Sequence, residues 1–250
     1  MKKNQNLLIT GSATRVGRAL ALHFATKGWN IALHYFRSAA KAKSLKKTIE
    51  QKGRKAILIK ADLKNFKQVE KIIPSAKKKL GRINFLINNA ALFEKDDILN
   101  FKLKSWNDHL NINLLAPAIL IKQFAKQIPK KNKSDIINII DQRIFRLTPI
   151  FMSYTLSKSA LYALTKTMAM RLGPNIKVNA IAPGPTIKSK RQSTKHFNEQ
   201  AKGTILKKPV GLIDICDTVE FLMKNNSITG QTIAVDSGQN LNWDTKSGKE

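Results

Sequence analysis

Short apolar runs alternate with longer amphipathic stretches along almost the whole chain, and this alternation limits the fold more than any other feature. The runs are Leu7-Leu8-Ile9, Ile31-Ala32-Leu33, Ala56-Ile57-Leu58-Ile59, Phe85-Leu86-Ile87, Ile136 to Ile140, Val178 to Ala182 and Ile233-Ala234-Val235. Between most of them lie segments with helical periodicity, such as Arg15 to Lys27, Ala39 to Gln51 and Ser157 to Arg171. Strands that are apolar at successive positions are buried on both faces, which requires helices above and below a parallel sheet. The expectation is a single α/β domain over residues 1–250: a doubly wound sheet of about seven parallel strands joined by right-handed crossovers. The 250 residues suit one domain at the upper end of the usual range. Trp243 to Glu250 reads as a short polar tail.

The chain carries 45 Lys+Arg against 16 Asp+Glu, a net charge of +29. Such an excess invites a nucleic-acid or membrane-surface reading. Cutting after Ala125 leaves 25 basic and 7 acidic residues before the cut and 20 and 9 after it, so both halves are basic and neither is a tail. Only nine of the 45 are Arg, the side chain that base-reading and bidentate phosphate sites favour. A solvated lysine surface is the simpler account, and no nucleic-acid partner is expected; a non-catalytic basic nucleic-acid binder is the alternative from another class. The single cysteine, Cys216, excludes a disulfide framework and a cysteine-rich zinc site, and no metal is expected. No apolar run approaches the roughly 18 to 20 residues of a membrane span, and only Leu7-Leu8-Ile9-Thr10 separates the polar N-terminus from Gly11. That is too short for a secretory leader's apolar core, so the expected location is the cytoplasm.

The first apolar run leads directly into Thr10-Gly11-Ser12-Ala13-Thr14-Arg15-Val16-Gly17-Arg18 and then a helical pattern. A glycine at a strand end allows an unusual turn. A second at the helix start permits close packing, and the free N–H groups of the first helical turn form an anion site suited to a pyrophosphate. A strand, a glycine-bearing loop and a helix in that order are the Rossmann arrangement for a dinucleotide.

The second run ends Leu33-His34-Tyr35-Phe36-Arg37-Ser38, with no acidic residue to hold the ribose hydroxyls of NAD. Arg37 and Ser38 instead offer a guanidinium and a hydroxyl to a 2′-phosphate, so the expected cofactor is NADPH. Farther along, Tyr154 and Lys158 stand four apart in Ser153-Tyr154-Thr155-Leu156-Ser157-Lys158, which places them on one helix face. An ammonium beside a phenol is expected to lower the phenol's pKa from about 10 towards the working range. Such a pair can deliver a proton to a hydride acceptor.

These motifs resemble the short-chain dehydrogenase/reductase family from Leu7 to about Trp243. The T-G-x-x-x-G-x-G loop stands here as T-G-S-A-T-R-V-G, with Arg15 in place of the middle glycine. That arginine, the H-Y-x-R-S run at His34 to Ser38, Phe93 and Asp141 resemble the pteridine reductase and dihydromonapterin reductase branch. Asp141 lies thirteen residues before Tyr154, where most of the family has serine. The resemblance implies cofactor contacts at Gly11, Thr14, Arg15, Val16, Gly17, His34, Tyr35, Arg37, Ser38, Asp62, Leu63, Asn89, Ala90, Ala91, Tyr154, Lys158, Pro183, Gly184 and Thr186. It implies catalytic roles for Asp141, Tyr154, Lys158 and Asn113, with Asn113 positioning a water beside the lysine. Substrate contacts would come from Arg15, Phe93, Asp141 and Tyr154, with Phe93 stacking on a flat pterin.

The stretch from Thr186 to Lys208 corresponds to the family's mobile substrate lid and carries seven basic residues against Glu199. The implied reaction is NADPH-dependent reduction of a dihydropteridine (dihydromonapterin, dihydrobiopterin or dihydrofolate type) to its tetrahydro form. The alternative within the family is a carbonyl or 3-oxoacyl-carrier reductase, and the implied assembly is a homotetramer or a homodimer. Asp141 also admits a purely local reading, a strand-end carboxylate capping the next turn.

Overall fold

The computed structural model describes residues 5–129, 131–189 and 192–242. Lys190 and Arg191 of the lid, Lys130, and the tail from Trp243 onward lie outside the described residues. Seven parallel strands form one sheet: β1 (Asn6–Ile9), β2 (Asn30–Tyr35), β3 (Ala56–Lys60), β4 (Phe85–Asn88), β5 (Ser134–Ile139), β6 (Ile176–Pro183) and β7 (Thr232–Val235). Their spatial order is β3-β2-β1-β4-β5-β6-β7. All seven expected strands form, within a few residues of the apolar runs that announced them.

Every pair in the sheet is parallel, with registers such as Leu7↔Ile31 and Leu7↔Phe85 around the central β1. Alternation within β1 sends its side chains to two separate cores. Leu7 and Ile9 pack with Leu20 and Phe24 of α1 (Arg15–Thr26), Leu45 and Ile49 of α2 (Ala39–Gln51), and Val219 and Leu222 of the helix Leu212–Lys224. Leu8 faces the other way, against Ile72 and Ile73 of α3 (Phe66–Leu80) and Leu120 and Phe124 of the helix Ala116–Gln127. Burial on both faces is why these strands show no polar alternation.

The second half of the wind begins with α4 (Leu103–Leu110), which runs through a π-helical turn (Asn111–Leu115) into α5 (Ala116–Gln127). α6 (Met152–Leu172) follows β5, and α7 (Thr194–Lys202) and α8 (Leu212–Lys224) lie between β6 and β7. α7 sits inside the segment expected to be a mobile lid, and its N-cap Ser193 accepts from the His196 amide. On α8, Glu220 pairs with His23 at 2.7 Å, Lys27 at 3.2 Å and Lys224 at 2.5 Å, tying α8 to α1.

The direction of strand order reverses between β1 and β4, and in such sheets ligands sit beyond the carboxyl ends of the strands at that point. The chain leaves β1, β2, β4, β5 and β6 on that same edge, which brings the residues singled out from sequence together. A buried amide chain holds this edge: Asn88 Nδ2 donates to Asn138 Oδ1 and Asn138 Nδ2 to Thr165 Oγ1, each at 2.9 Å. It links β4, β5 and α6. No helix of the described residues is long and apolar enough to cross a membrane.

Candidate active site

The loop after β1 is built for close approach. Gly11 adopts φ +61°, and a Cβ on Gly17 would lie 2.4 Å from the Gly11 carbonyl oxygen and 2.7 Å from Asn89 Nδ2. Asn89 braces the turn, with Nδ2 donating to the carbonyls of Thr10 at 2.8 Å and Gly11 at 3.2 Å. The Asn89 and Ala90 amides both donate to Thr10 Oγ1. α1 then starts without a side-chain cap: Thr14 makes none, and no acidic residue lies in the first turn. Its first N–H groups are therefore available to an anion, with the helix dipole behind them.

His34, expected among the cofactor contacts, is held from within the protein. The ring is buried beneath the loop, where Nδ1 accepts from the Gly11 amide at 3.1 Å and Nε2 faces the Ala61 carbonyl at 3.2 Å. This pairing puts the proton on Nε2. Burial lowers its pKa to about 4, against the smaller raising effects of the Ala61 carbonyl and Asp62. His34 is a neutral brace under the glycine loop.

Beyond β2 the Arg37 guanidinium lies 5.3 Å from the Phe36 ring centroid, and Ser38 is the N-cap of α2 with its hydroxyl making no capping bond. A cleft of about 600 Å³ opens between the starts of α1 and α2, lined by Thr14, Arg15, Arg18, Lys41 and Ser44 among others. Tyr35 closes β2, and its carbonyl accepts from the Ala61 amide. Asp62 and Leu63 follow β3, where Asp62 Oδ1 accepts from the Lys64 amide at 3.0 Å and Leu63 is buried.

Arg15 reaches across the site. With φ +53°, it donates Nη2 to the Ile187 carbonyl at 2.7 Å and Nη1 to the Lys188 carbonyl at 2.9 Å. The guanidinium thus ties the start of α1 to the segment after β6. At the end of β6, Gly184 permits a close approach to the end of β7, since a Cβ there would meet Asp236 Cα at 2.7 Å. Pro183 pairs with Val235, and the Thr186 hydroxyl donates to the Gly184 carbonyl at 3.1 Å.

At the end of β5 and the start of α6 the expected catalytic residues meet. The Tyr154 hydroxyl donates to Asp141 Oδ2 at 2.8 Å. Asp141 Oδ1 accepts from the Arg143 amide at 2.9 Å, so the carboxylate also caps the 3-10 turn Gln142–Ile144. The capping reading of Asp141 is realised through Oδ1, while Oδ2 meets the Tyr154 hydroxyl. Arg143 Nη1 lies 3.3 Å from both carboxylate oxygens. Lys158 is buried, its Nζ donates to the Ile139 carbonyl at 2.8 Å, and it sits 5.8 Å from the Tyr154 ring centroid.

The electrostatics correct one expectation. The Tyr154 pKa is raised, not lowered, because burial and the Asp141 carboxylate outweigh the Arg143 charge. The Lys158 ammonium donates to the Ile139 carbonyl and not to the phenol, and burial lowers its own pKa to about 8 despite the Asp141 charge. Tyr154 is a firmly protonated donor aimed at a carboxylate.

Asn113, expected to position a water beside the lysine, is itself held by protein partners. Its side chain is fully buried: Oδ1 accepts from the Leu92 amide at 2.8 Å, and Nδ2 donates to the Leu92 carbonyl and to Ser157 Oγ, both at 3.0 Å. It clamps the segment after β4 to α6 from within the π-helical turn.

Two residues escaped the sequence reading. The Phe151 ring stacks on Phe93 with centroids 4.4 Å apart and planes 9° apart, and Tyr154 meets Phe93 edge-on at 4.6 Å. The Arg143 guanidinium carbon stands 5.2 Å from both phenylalanine centroids. Phe93, Phe151, Arg143 and Tyr154 thus form one aromatic and cationic wall beside Asp141. The proximity of Arg143 to Asp141 and of Phe151 to Tyr154 along the chain was the only signal for either.

The geometry provides an open helix N-terminus for a pyrophosphate, cations and a free hydroxyl beside it, and a proton donor at an aromatic wall. A family model described as enoyl-(acyl carrier protein) reductase matches residues 11–240. The 3-oxoacyl-(acyl-carrier-protein) reductase FabG of Staphylococcus epidermidis is 30% identical over 243 residues, which cover 94% of this chain and 98% of the relative. The 2-dehydro-3-deoxy-D-gluconate 5-dehydrogenase of Escherichia coli is 32% identical over 243 residues, 92% of this chain and 93% of the relative. Among solved structures, FolM alternative dihydrofolate reductase 1 from Brucella canis, complexed with NADP, superposes with a TM-score of 0.94 at 39% identity, covering 97% of this chain and 96% of that one. Its counterpart from Brucella suis, also with NADP, gives 0.95 at 39% identity over 99% of both chains. Matched over nearly its whole length by sequence and by fold alike, the chain belongs to the short-chain dehydrogenase/reductase family.

Proposed function

We propose that the protein is an NADPH-dependent reductase of 7,8-dihydropteridines, acting on an imine. The observation that carries this reading is the 2.8 Å bond from Tyr154 to the Asp141 carboxylate, where most of the family has a serine. A carbonyl reductase needs a neutral hydroxyl there to share the oxyanion. A carboxylate suits an electron-poor heterocycle with N–H groups to accept from and a ring nitrogen to protonate. The Brucella FolM structures, with 39% identity, support the same substrate class.

The residues fit NADPH. The uncapped start of α1 suits a pyrophosphate, and Arg37, Ser38, Arg18 and Lys41 stand where a 2′-phosphate would need cations and a hydroxyl. When bound, the nicotinamide supplies a hydride to the imine carbon. Tyr154 and Asp141 hold the proton that the imine nitrogen takes in the same event. The charge left on the pair is flanked by two cations, Arg143 and Lys158. Phe93 and Phe151 confine a flat ring, and Arg15 orients its far edge once it exchanges the lid carbonyls for ligand. The net charge of +29 raises the local concentration of anionic cofactor and substrate.

The Staphylococcus relatives favour a second reading, reduction of a 3-oxoacyl thioester. Side-by-side NADPH oxidation with dihydromonapterin, dihydrobiopterin, dihydrofolate, a 3-oxoacyl thioester and small ketones decides between them. Turnover of a dihydropteridine at least tenfold above the carbonyl compounds is expected; the reverse order would refute the substrate assignment.

A further inference from the structure

Directly before the catalytic tyrosine, outside the residues assigned above, lies a serine, histidine and aspartate cluster that is entirely buried. Ser153, His109 and Asp96 come from α6, α4 and the loop after β4, and each is at most 3% exposed. Ser153 Oγ lies 2.7 Å from His109 Nδ1 and donates to Asp96 Oδ2. The composition is that of a hydrolytic triad, but the direction of the bonds is not. The Glu94 amide donates to His109 Nε2 at 3.1 Å, which makes Nε2 an acceptor and puts the ring proton on Nδ1. Nδ1–H then donates to Ser153 Oγ, and the serine proton points at Asp96. The histidine cannot withdraw that proton, and burial keeps solvent and substrate away.

What the chain of bonds does is hold the start of α6. Phe151, the residue before the helix, adopts the left-handed conformation (φ +61°) and makes no side-chain cap. Asp96 caps in its place from 57 residues away: its Oδ1 accepts from the Ser153 amide at 3.2 Å, and its carbonyl accepts from the Phe151 amide at 2.8 Å. The helix so anchored carries Tyr154 one residue later, and Phe151 presents its ring to Phe93. The His109 ring also meets the Tyr154 ring at 6.2 Å.

We propose that Asp96, His109 and Ser153 are positioning residues of the reductase, a one-way hydrogen-bond chain that sets the Tyr154 hydroxyl on Asp141 and the Phe151 ring on Phe93. They touch neither cofactor nor substrate. The inference rests on Tyr154 as proton donor, not on the identity of the substrate.

The test compares wild type with Ser153→Ala, Ser153→Thr and Asp96→Asn, using whichever dihydropteridine or 3-oxoacyl thioester the wild type reduces. A failed substrate assignment then shows in the wild-type profile, and a failed positioning role in the variant-to-wild-type ratio. Asp96→Asn is isosteric, but its one amide oxygen cannot accept from both the Ser153 amide and the Ser153 hydroxyl, so it breaks the chain with little change in volume. Ser153→Ala and Asp96→Asn are expected to lower kcat about tenfold with the NADPH Kd within about twofold of wild type, because a small displacement of the donor slows chemistry and not cofactor binding. Amide exchange at residues 151–154 should rise about tenfold in both, and Ser153→Thr, which keeps the hydroxyl, should restore kcat to within about threefold. Wild-type kcat in both Ser153→Ala and Asp96→Asn overturns the proposal. So does a fall in kcat matched by an equal loss of NADPH binding, or unchanged exchange at these amides.

Discussion

Asp141 divides its two oxygens between the Arg143 backbone amide and the Tyr154 hydroxyl. Oδ1 accepts from the Arg143 amide at 2.9 Å and Oδ2 accepts the Tyr154 hydroxyl proton at 2.8 Å. Because the first bond fixes the carboxylate, the second arrives pre-oriented, and the phenol is held protonated by its neighbour's charge as well as by burial. Tyr154→Phe is expected to cost about 10² to 10⁴ in kcat for dihydropteridine reduction, the usual worth of a placed proton donor. Asp141→Ser should lower the tyrosine pKa, cut dihydropteridine turnover at least about tenfold and leave ketone reduction equal or faster. NADPH oxidation measured on both substrates checks this. Undiminished dihydropteridine turnover in Asp141→Ser would show that the carboxylate only caps its turn.

Arg15 bonds to the Ile187 and Lys188 carbonyls at once, which a lysine cannot reproduce with the same planar fork. Arg15→Ala and Arg15→Lys are both expected to raise the dihydropteridine KM about tenfold, the value of one charge-assisted hydrogen bond lost. Amide exchange should increase at Ile187 to Ser189 and through α7. If KM rises but exchange in the lid stays at the wild-type rate, Arg15 binds ligand without restraining the lid.

The strands were legible because burial on both faces leaves a local mark, an apolar run with no alternation, as in Leu7-Leu8-Ile9. The glycine loop and the Tyr154–Lys158 spacing are local as well. What stayed hidden depends on contacts between distant segments. His34 under Gly11, Asn113 on Leu92, and Asp96 capping a helix 57 residues later are hydrogen bonds that no periodicity encodes. The Lys158 effect on Tyr154 was misjudged for a related reason: helical spacing gives the shared face but not the depth. At this depth desolvation dominates, and the ammonium turns to the Ile139 carbonyl instead of the phenol oxygen.

His34 gives the fold a pH dependence whose sign is fixed by its depressed pKa. Between pH 6.5 and about 4 the unfolded chain carries a proton on this imidazole that the folded chain does not, so stability falls as pH falls through that window. A shift of this size corresponds to roughly 3 kcal/mol. Asp135 works in the opposite sense, since burial raises its pKa to about 6 despite Lys177, and the folded chain then holds the extra proton. The His34 contribution is therefore read as a difference. Urea unfolding of His34→Gln across this range should show a loss on acidification smaller than that of wild type by roughly 3 kcal/mol. Parallel curves would mean that the ring is protonated in the folded state or titrates equally when unfolded.

The cleft between the starts of α1 and α2 bears on cofactor choice. Neither helix has an acidic residue in its first turn, and Arg18 and Lys41 face the same cleft from opposite sides, with Ser38 at the head of α2. A 2′-phosphate seated there would gain charge-assisted bonds that a 2′-hydroxyl cannot make. Arg18→Ala, Lys41→Ala and Arg37→Ala are each expected to raise the KM for NADPH about tenfold while leaving that for NADH within about twofold, because the lost attraction acts on the phosphate alone. Combining two of the substitutions should bring the NADPH and NADH values close together, and added salt should weaken NADPH binding less in the variants than in wild type, since fewer charges remain to be screened. An equal rise for both cofactors would place these side chains on the shared pyrophosphate or adenine, leaving the preference to groups elsewhere on the β2 edge.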